Sequence, residues 1–210
     1  MLQFRASSVG SIMAYPDKDT LPKGAMTYLE DMASKIILGW SENLDNFEMQ
    51  KGREVEDESI ALFNAVSGNF YLKNTDRKTT KLFTGECDIH DADSSTIWDV
   101  KNSYSKKTHD LFLDINSNKI YFWQLVQYAV MWETDNAGLA RILVDTPPHL
   151  IKASDPLDWH EVSHIDPKYR VTTASMQVTQ ELKEQLINRA TLAQNKPKEM
   201  LDDKGFDYES

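Results

Sequence analysis

Three side chains in TGECDIHDADSSTIWDVKNS, residues 84–103, have the types and spacing for chemistry on a phosphate: Asp88, and Asp99 and Lys101 of the triplet Asp99-Val100-Lys101. In a strand, side chains two apart share a face, so Asp99 and Lys101 project together while Trp98 and Val100 point the other way. The same rule puts Glu86 and Asp88 on one face. With ten residues between the two acids there is room for a turn, and on neighbouring strands Asp88, Asp99 and Lys101 meet at one point. Two carboxylates with a backbone carbonyl, such as that of Val100, suit a hard divalent cation like Mg²⁺, which keeps several waters and accepts phosphate oxygens. A nearby lysine can orient or help deprotonate a metal-bound water while the cation stabilises charge building on the phosphate. A solvated acid-x-lysine in an exposed strand gives the same pattern.

GREVEDESIALF, residues 52–63, adds a third acid. On a helix of ~100° per residue, Val55, Ile60, Leu62, Phe63 and Val66 form one apolar arc, and Glu56 falls inside it between Phe63 and Ile60. Glu54, Asp57 and Glu58 fall outside. A carboxylate in a core-facing arc is costly unless it is paired or holds a metal; a boundary glutamate that reaches out to water is the competing reading. Gly52 lies a turn earlier on the arc, where it lets backbone or substrate come close. In IYFWQLVQYAVMW, residues 120–132, Gln124, Gln127 and Tyr128 share one side of an otherwise apolar run. Buried amides and phenols need partners, so these residues either bridge helices or brace a lysine or a phosphate.

The elements that must position these residues follow from periodicity. Ser7 or Ser8 can cap a short helix through Ser11, Ile12 and Met13, and Pro22 starts a helix running towards residue 40, with Gly39 near its end. SENLDN, residues 41–46, reads as a linker, and residues 47–66 as a helix stopped by Gly68. Strands are expected over 70–73, 82–89 and 96–100, with HDADSS, residues 90–95, as the turn. A helix over 119–133 is apolar nearly all round, implying burial on several sides. A strand over 138–144, a proline-marked loop, outer strands over 159–165 and 169–175, an amphipathic helix over 179–195 and a frayed tail over 202–210 complete the chain. This order fits an α/β or α+β layered sandwich within one domain spanning residues 1–210.

Composition narrows the function classes. A hydrophobic fraction of 40% and five tryptophans indicate a folded core, and a mean hydropathy of −0.52 without a long apolar run argues against a membrane partner. The single cysteine excludes a four-cysteine zinc or iron-sulfur site within one chain, and no phosphate-binding GxxxxGK[ST] loop is present. The N-terminal residues lack a basic-then-apolar export layout, so a cytoplasmic location is expected. A net charge of −10 speaks against a protein that coats nucleic acid, yet leaves room for a local basic groove beside a carboxylate metal site.

In order along the chain, ASSVGSIM of residues 6–13, the Gly52-x-x-x-Glu56 helix, Gly85-x-x-Asp88, Asp99-Val100-Lys101 and Gln124-x-x-x-Tyr128 resemble the PD-(D/E)XK nuclease superfamily, and within it the phage lambda exonuclease or YqaJ-like viral recombinases. The resemblance implies a restriction-endonuclease-like core, a central mixed β-sheet flanked by helices. It implies that Asp88, Asp99 and the Val100 carbonyl bind metal and Lys101 handles the attacking water. It also implies that Glu56 assists a second metal or an outer water, and that Gln124 and Tyr128 support the site. Ser7 is the implied 5′-phosphate contact, with Arg5 in place of the family's earlier arginine. Cys87 replaces a common proline, and Asp99 is shorter than the usual glutamate.

The activity so implied is a Mg²⁺-dependent exonuclease, with Mn²⁺ as substitute and two ions per site. It would act 5′→3′ on linear duplex DNA ends and leave a 3′ single strand for an annealing protein. The implied assembly is a homotrimeric ring. An endonuclease of the same superfamily, a noncatalytic DNA-end-binding recombination scaffold, and an acidic interaction protein with chance motifs are the competing classes.

Overall fold

The computed structural model describes residues 3–41 and 45–206; part of the expected linker and the end of the expected frayed tail lie outside them. The main sheet has the order β4-β5-β6-β7, built from Ile89–Asp91, Thr96–Asn102, Asn136–Ile142 and Val171–Gln177. β5 and β6 are parallel and joined by helix α4, Lys119–Trp132, while the β4–β5 and β6–β7 pairs are antiparallel. A second, small sheet has the order β1-β3-β2, from Phe4–Arg5, Phe83–Gly85 and Lys78–Thr79. This is the mixed, helix-flanked, restriction-endonuclease-like architecture expected above.

Two apolar layers sandwich the main sheet. On one face α4 packs with α1, Lys23–Leu38, and α5, Gln180–Asp203, around Leu29, Leu125, Val126, Leu139, Leu186 and Ala190. On the other, α3, Glu56–Ser67, sets Ile60 and Phe63 against Ile89, Val100, Ala140 and Ile142. α4 fits the expectation of burial on several sides, because Leu125, Val126 and Ala129 are all fully covered. Trp98 stacks across its register partner Gly138, where a Cβ would come 2.3 Å from the indole ring; only glycine fits there. No helix among the described residues is long and apolar enough to cross a membrane.

Five expectations need correction. The helix expected over 47–66 is two helices, α2 (Phe47–Glu54) and α3, interrupted at Val55, so Glu56 opens a helix, where the dipole favours a carboxylate. Residues 70–73 form no strand: the Asn64 amide bonds both the N–H and the C=O of Tyr71, and only Lys73 bridges to Ile89. The strand expected over 82–89 splits into β3 and β4, one in each sheet. Residues 159–165 form no strand because Asp145 Oδ1 accepts from the N–H groups of both Val162 and Ser163, at 2.5 and 3.0 Å. α5 runs through Pro197 to Asp203 because Pro197 and Leu201 are buried against the core.

Candidate active site

The β4–β5 hairpin pairs Ile89 with Trp98, so Asp88, one residue before β4, arrives beside the triplet. The contact is direct: Val100 N–H donates to Asp88 Oδ2 at 2.5 Å. Asn74 fixes the backbone here, its N–H donating to the Asp88 carbonyl at 2.7 Å and its Nδ2 to the Cys87 carbonyl at 2.8 Å. The Cys87 thiol is buried, and burial together with the Asp88 charge pushes its pKa up to about 12, which makes it a packing group and no nucleophile.

Asp99 is 1% exposed. Its Oδ1 accepts from Gln124 Nε2 at 3.2 Å, and the same amide nitrogen donates to Tyr128 Oη at 3.1 Å. Gln124 and Tyr128, one helical turn apart on α4, therefore brace the carboxylate from one side. Asp99 Oδ2 forms an ion pair with Lys101 Nζ at 2.8 Å.

Burial, and then the charge of Asp99, pushes the Asp88 carboxyl up to about 7. Burial opposes the charge on Lys101, yet Asp99 and Asp88 outweigh it and hold the ammonium above the ordinary lysine range. Burial and Asp99 likewise raise the Tyr128 phenol, which stays protonated. The centre thus holds two crowded carboxylates, one ammonium and one phenol.

Glu56 stands on the wall of the same cavity, about 410 Å³ in volume, as Asp88, Val100 and Lys101. It is paired with Lys73, Nζ to Oε2 at 2.8 Å, rather than with the other acids. Among the described residues no three His, Cys, Asp or Glu side chains form a metal cage. The residues that could hold a metal here are the two carboxylates, with the Val100 backbone lining the same cavity as Asp88. These are oxygen donors, and burial with the like charge of Asp99 raises Asp88; this fits a hard cation that keeps waters.

Arg5 and Ser7 sit elsewhere, in a second cavity of about 490 Å³ that Arg77, Glu86 and Tyr128 also line. Ser7 is exposed in the turn before a 3₁₀ helix, Val9–Ile12, whose N-cap Ser8 makes no side-chain capping bond. Ser8 Oγ instead donates to the Arg5 carbonyl at 3.2 Å and accepts from Tyr28 Oη at 3.0 Å. Glu86 and Asp88 part company at the β3–β4 break, Glu86 lying 3.2 Å from Arg77. Gln127 also turns away from the acids, donating to the carbonyls of Phe4 and Thr84 at 3.3 and 3.2 Å.

Sequence reasoning missed Arg77, Asn74, Asn102 and Lys51. Asn102 Oδ1 accepts from Ser59 Oγ and its Nδ2 donates to the Gly52 carbonyl at 3.3 Å, tying the α2–α3 junction to the end of β5. Lys51, wholly buried, donates to the carbonyls of Ser103, Tyr104 and Val144 at 2.8, 3.2 and 2.8 Å, while burial lowers its pKa to about 8. Periodicity did not mark it: on the wheel it falls at about −40° from Val55, just outside the apolar arc.

No protein-family model matches the chain, and no curated protein matches it. Among solved structures, a phage-related exonuclease from Haemophilus somnus 129PT superposes with a TM-score of 0.90 at 28% identity, covering 97% of this chain and 96% of that one. An alkaline exonuclease from Laribacter hongkongensis superposes with a TM-score of 0.66 at 13% identity, covering 97% and 93%, and its complex with dAMP with 0.65 at 13% identity over the same shares. These neighbours bear out the fold and the resemblance stated from the motifs.

Proposed function

From a fold of the lambda exonuclease-like kind, we propose that the protein is a Mg²⁺-dependent deoxyribonuclease that degrades linear duplex DNA from its ends, 5′→3′, leaving a 3′ single strand. The observation that carries this reading is the meeting of Asp88 and Lys101 in one cavity with Asp99 buried 2.8 Å behind Lys101, where Gln124, itself bonded to Tyr128, holds it.

Asp88, Asp99 and the Val100 carbonyl would hold the cation, with Glu56 reaching it through water. Bound there, a divalent cation supplies an activated water and stabilises charge on the scissile phosphate. Lys101 sits beside Asp99 as an ammonium, so its part is to orient the attacking water by donating to it and to offset charge on the phosphate. Gln124 holds the Asp99 carboxylate beside Lys101. In the second cavity, which Tyr128 also lines, Arg5, Ser7 and Arg77 would receive the 5′-phosphate of the strand being degraded, which would set the polarity. A ring of three copies and transfer of the 3′ strand to an annealing protein extend the same proposal; the resemblance alone supports them.

The test incubates purified protein with linear and with circular duplex DNA, in Mg²⁺ or in EDTA, beside Lys101→Ala. Loss of linear DNA alone, dependent on Mg²⁺ and reduced about 10²- to 10⁴-fold in the variant, is the expected result. Cutting of circles makes the protein an endonuclease, and binding without loss makes it a scaffold.

A further inference from the structure

Arg141 of β6 is in register with Lys101 of the parallel strand β5. Both side chains leave the same face of the sheet from backbones about 4.8 Å apart. Cations this close repel unless each is compensated. Lys101 has Asp99 at 2.8 Å, and Arg53, which lines the same cavity, has Asp45 at 2.5 Å. Arg141 lines that cavity too, and has no carboxylate partner among the described residues. Its Nη2 donates to the Thr108 carbonyl at 3.2 Å, and its Nε is buried with no hydrogen-bond partner. A guanidinium carries five N–H donors in a planar fork, so pinning the Thr108 loop leaves most of them unused. A buried donor without a partner calls for an explanation, and a fork beside an ammonium matches the paired oxygens of a phosphate.

We propose that Arg141 grips a phosphodiester of the bound DNA strand, the one adjoining the phosphate presented to Lys101. This rests on the nuclease reading. Neither Asp88 nor Asp99 needs Arg141 for its placement, so the residue is a substrate-binding group separate from the carboxylate centre.

The test is the affinity of an end-labelled DNA duplex for wild type, Arg141→Gln and Arg141→Lys, measured in EDTA across a salt series by fluorescence anisotropy. Arg141→Gln is expected to bind about tenfold more weakly, with the slope of log affinity against log salt shallower by about 0.9, one phosphate contact. Arg141→Lys is expected to keep the slope and recover part of the affinity. Wild-type slope and affinity in Arg141→Gln overturn the assignment. Wild type that cleaves linear DNA while Arg141→Gln binds normally sinks only the Arg141 proposal; wild type that neither binds nor cleaves sinks both. Should Arg141→Gln melt early, Arg141→Lys decides: a raised KM at unchanged kcat supports the grip, and an unchanged KM removes it.

Discussion

Two side-chain clusters, Arg5–Arg77–Glu86 and Asp88–Asp99–Lys101, carry opposite net charge although one stretch of chain feeds both. Glu86 and Asp88 are two residues apart and would share a face in an unbroken strand. Because β3 ends at Gly85 and β4 starts at Ile89, the intervening residues deliver Glu86 to Arg5 and Arg77, and Asp88 to Asp99 and Lys101. On one side an acid is neutralised by an arginine at 3.2 Å; on the other, two acids face one lysine and burial raises Asp88. The first side has cationic capacity for an anion, with Arg5 lacking a carboxylate partner among the described residues. The second has anionic capacity for a cation. A strand break converts one acidic run into two sites of different sign.

The largest expected effect breaks the carboxylate side alone. Asp88→Asn is expected to abolish metal-dependent cleavage while making the metal-free protein more stable. The folded carboxyl is raised to about 7 by burial and by Asp99, against about 4 in the unfolded chain, so between those values the folded state binds more protons. Its contribution is therefore full below about pH 4 and is lost as pH rises through 7. At pH 8 in EDTA the variant should exceed wild type by on the order of 2 kcal/mol, half the full linkage, since the open cavity screens part of it. Chemical denaturation across pH measures this; equal or lower stability shows that the acids do not crowd each other.

A smaller effect tests the arginine side. Arg5→Ala and Arg77→Ala should each slow degradation of 5′-phosphorylated ends about tenfold, the worth of a charged hydrogen bond, and leave dephosphorylated ends unaffected. Equal slowing of both substrates assigns these arginines to the duplex in general. The smallest effect concerns Lys73, whose bridge to Glu56 is part-exposed. Lys73→Ala should change stability by no more than about 0.5 kcal/mol, yet lower the Mg²⁺ concentration for half-maximal cleavage, because an ammonium no longer competes for Glu56. An unchanged Mg²⁺ requirement places Glu56 outside the metal's reach.

What was legible in the sequence was what local rules encode. Period-two alternation and a polar turn place Asp88, Asp99 and Lys101 together, and i,i+4 spacing on an apolar helix aligns Gln124 with Tyr128. The illegible parts depend on distant partners. Tyr71 and Val162 sit in strand-like runs, but the side chains of Asn64 and Asp145 take their backbone N–H groups, which no pattern within those runs announces. Glu56 lines the cavity, but its partner Lys73 lies 17 residues away across a loop. Lys51 reads as a solvated lysine until β5 and β6 bring three carbonyl groups to it. Pro197 reads as a stop because it cannot donate a helical hydrogen bond; the burial of Leu201 beyond it keeps the helix going.

The Tyr128 ring lines the arginine cavity, and it is confined: a Cβ on Gly85 would come 3.0 Å from its Cε1 and 3.2 Å from the Cβ of Ala6. Its hydroxyl is held by Gln124 at 3.1 Å. Because the same amide also holds Asp99, the arginine cavity and the carboxylate centre are tied to one turn of α4, and their spacing is a fixed property of the fold. Under the exonuclease proposal that spacing would act as a ruler for the number of nucleotides removed per cut, and shrinking Tyr128 is expected to blur the length of the product.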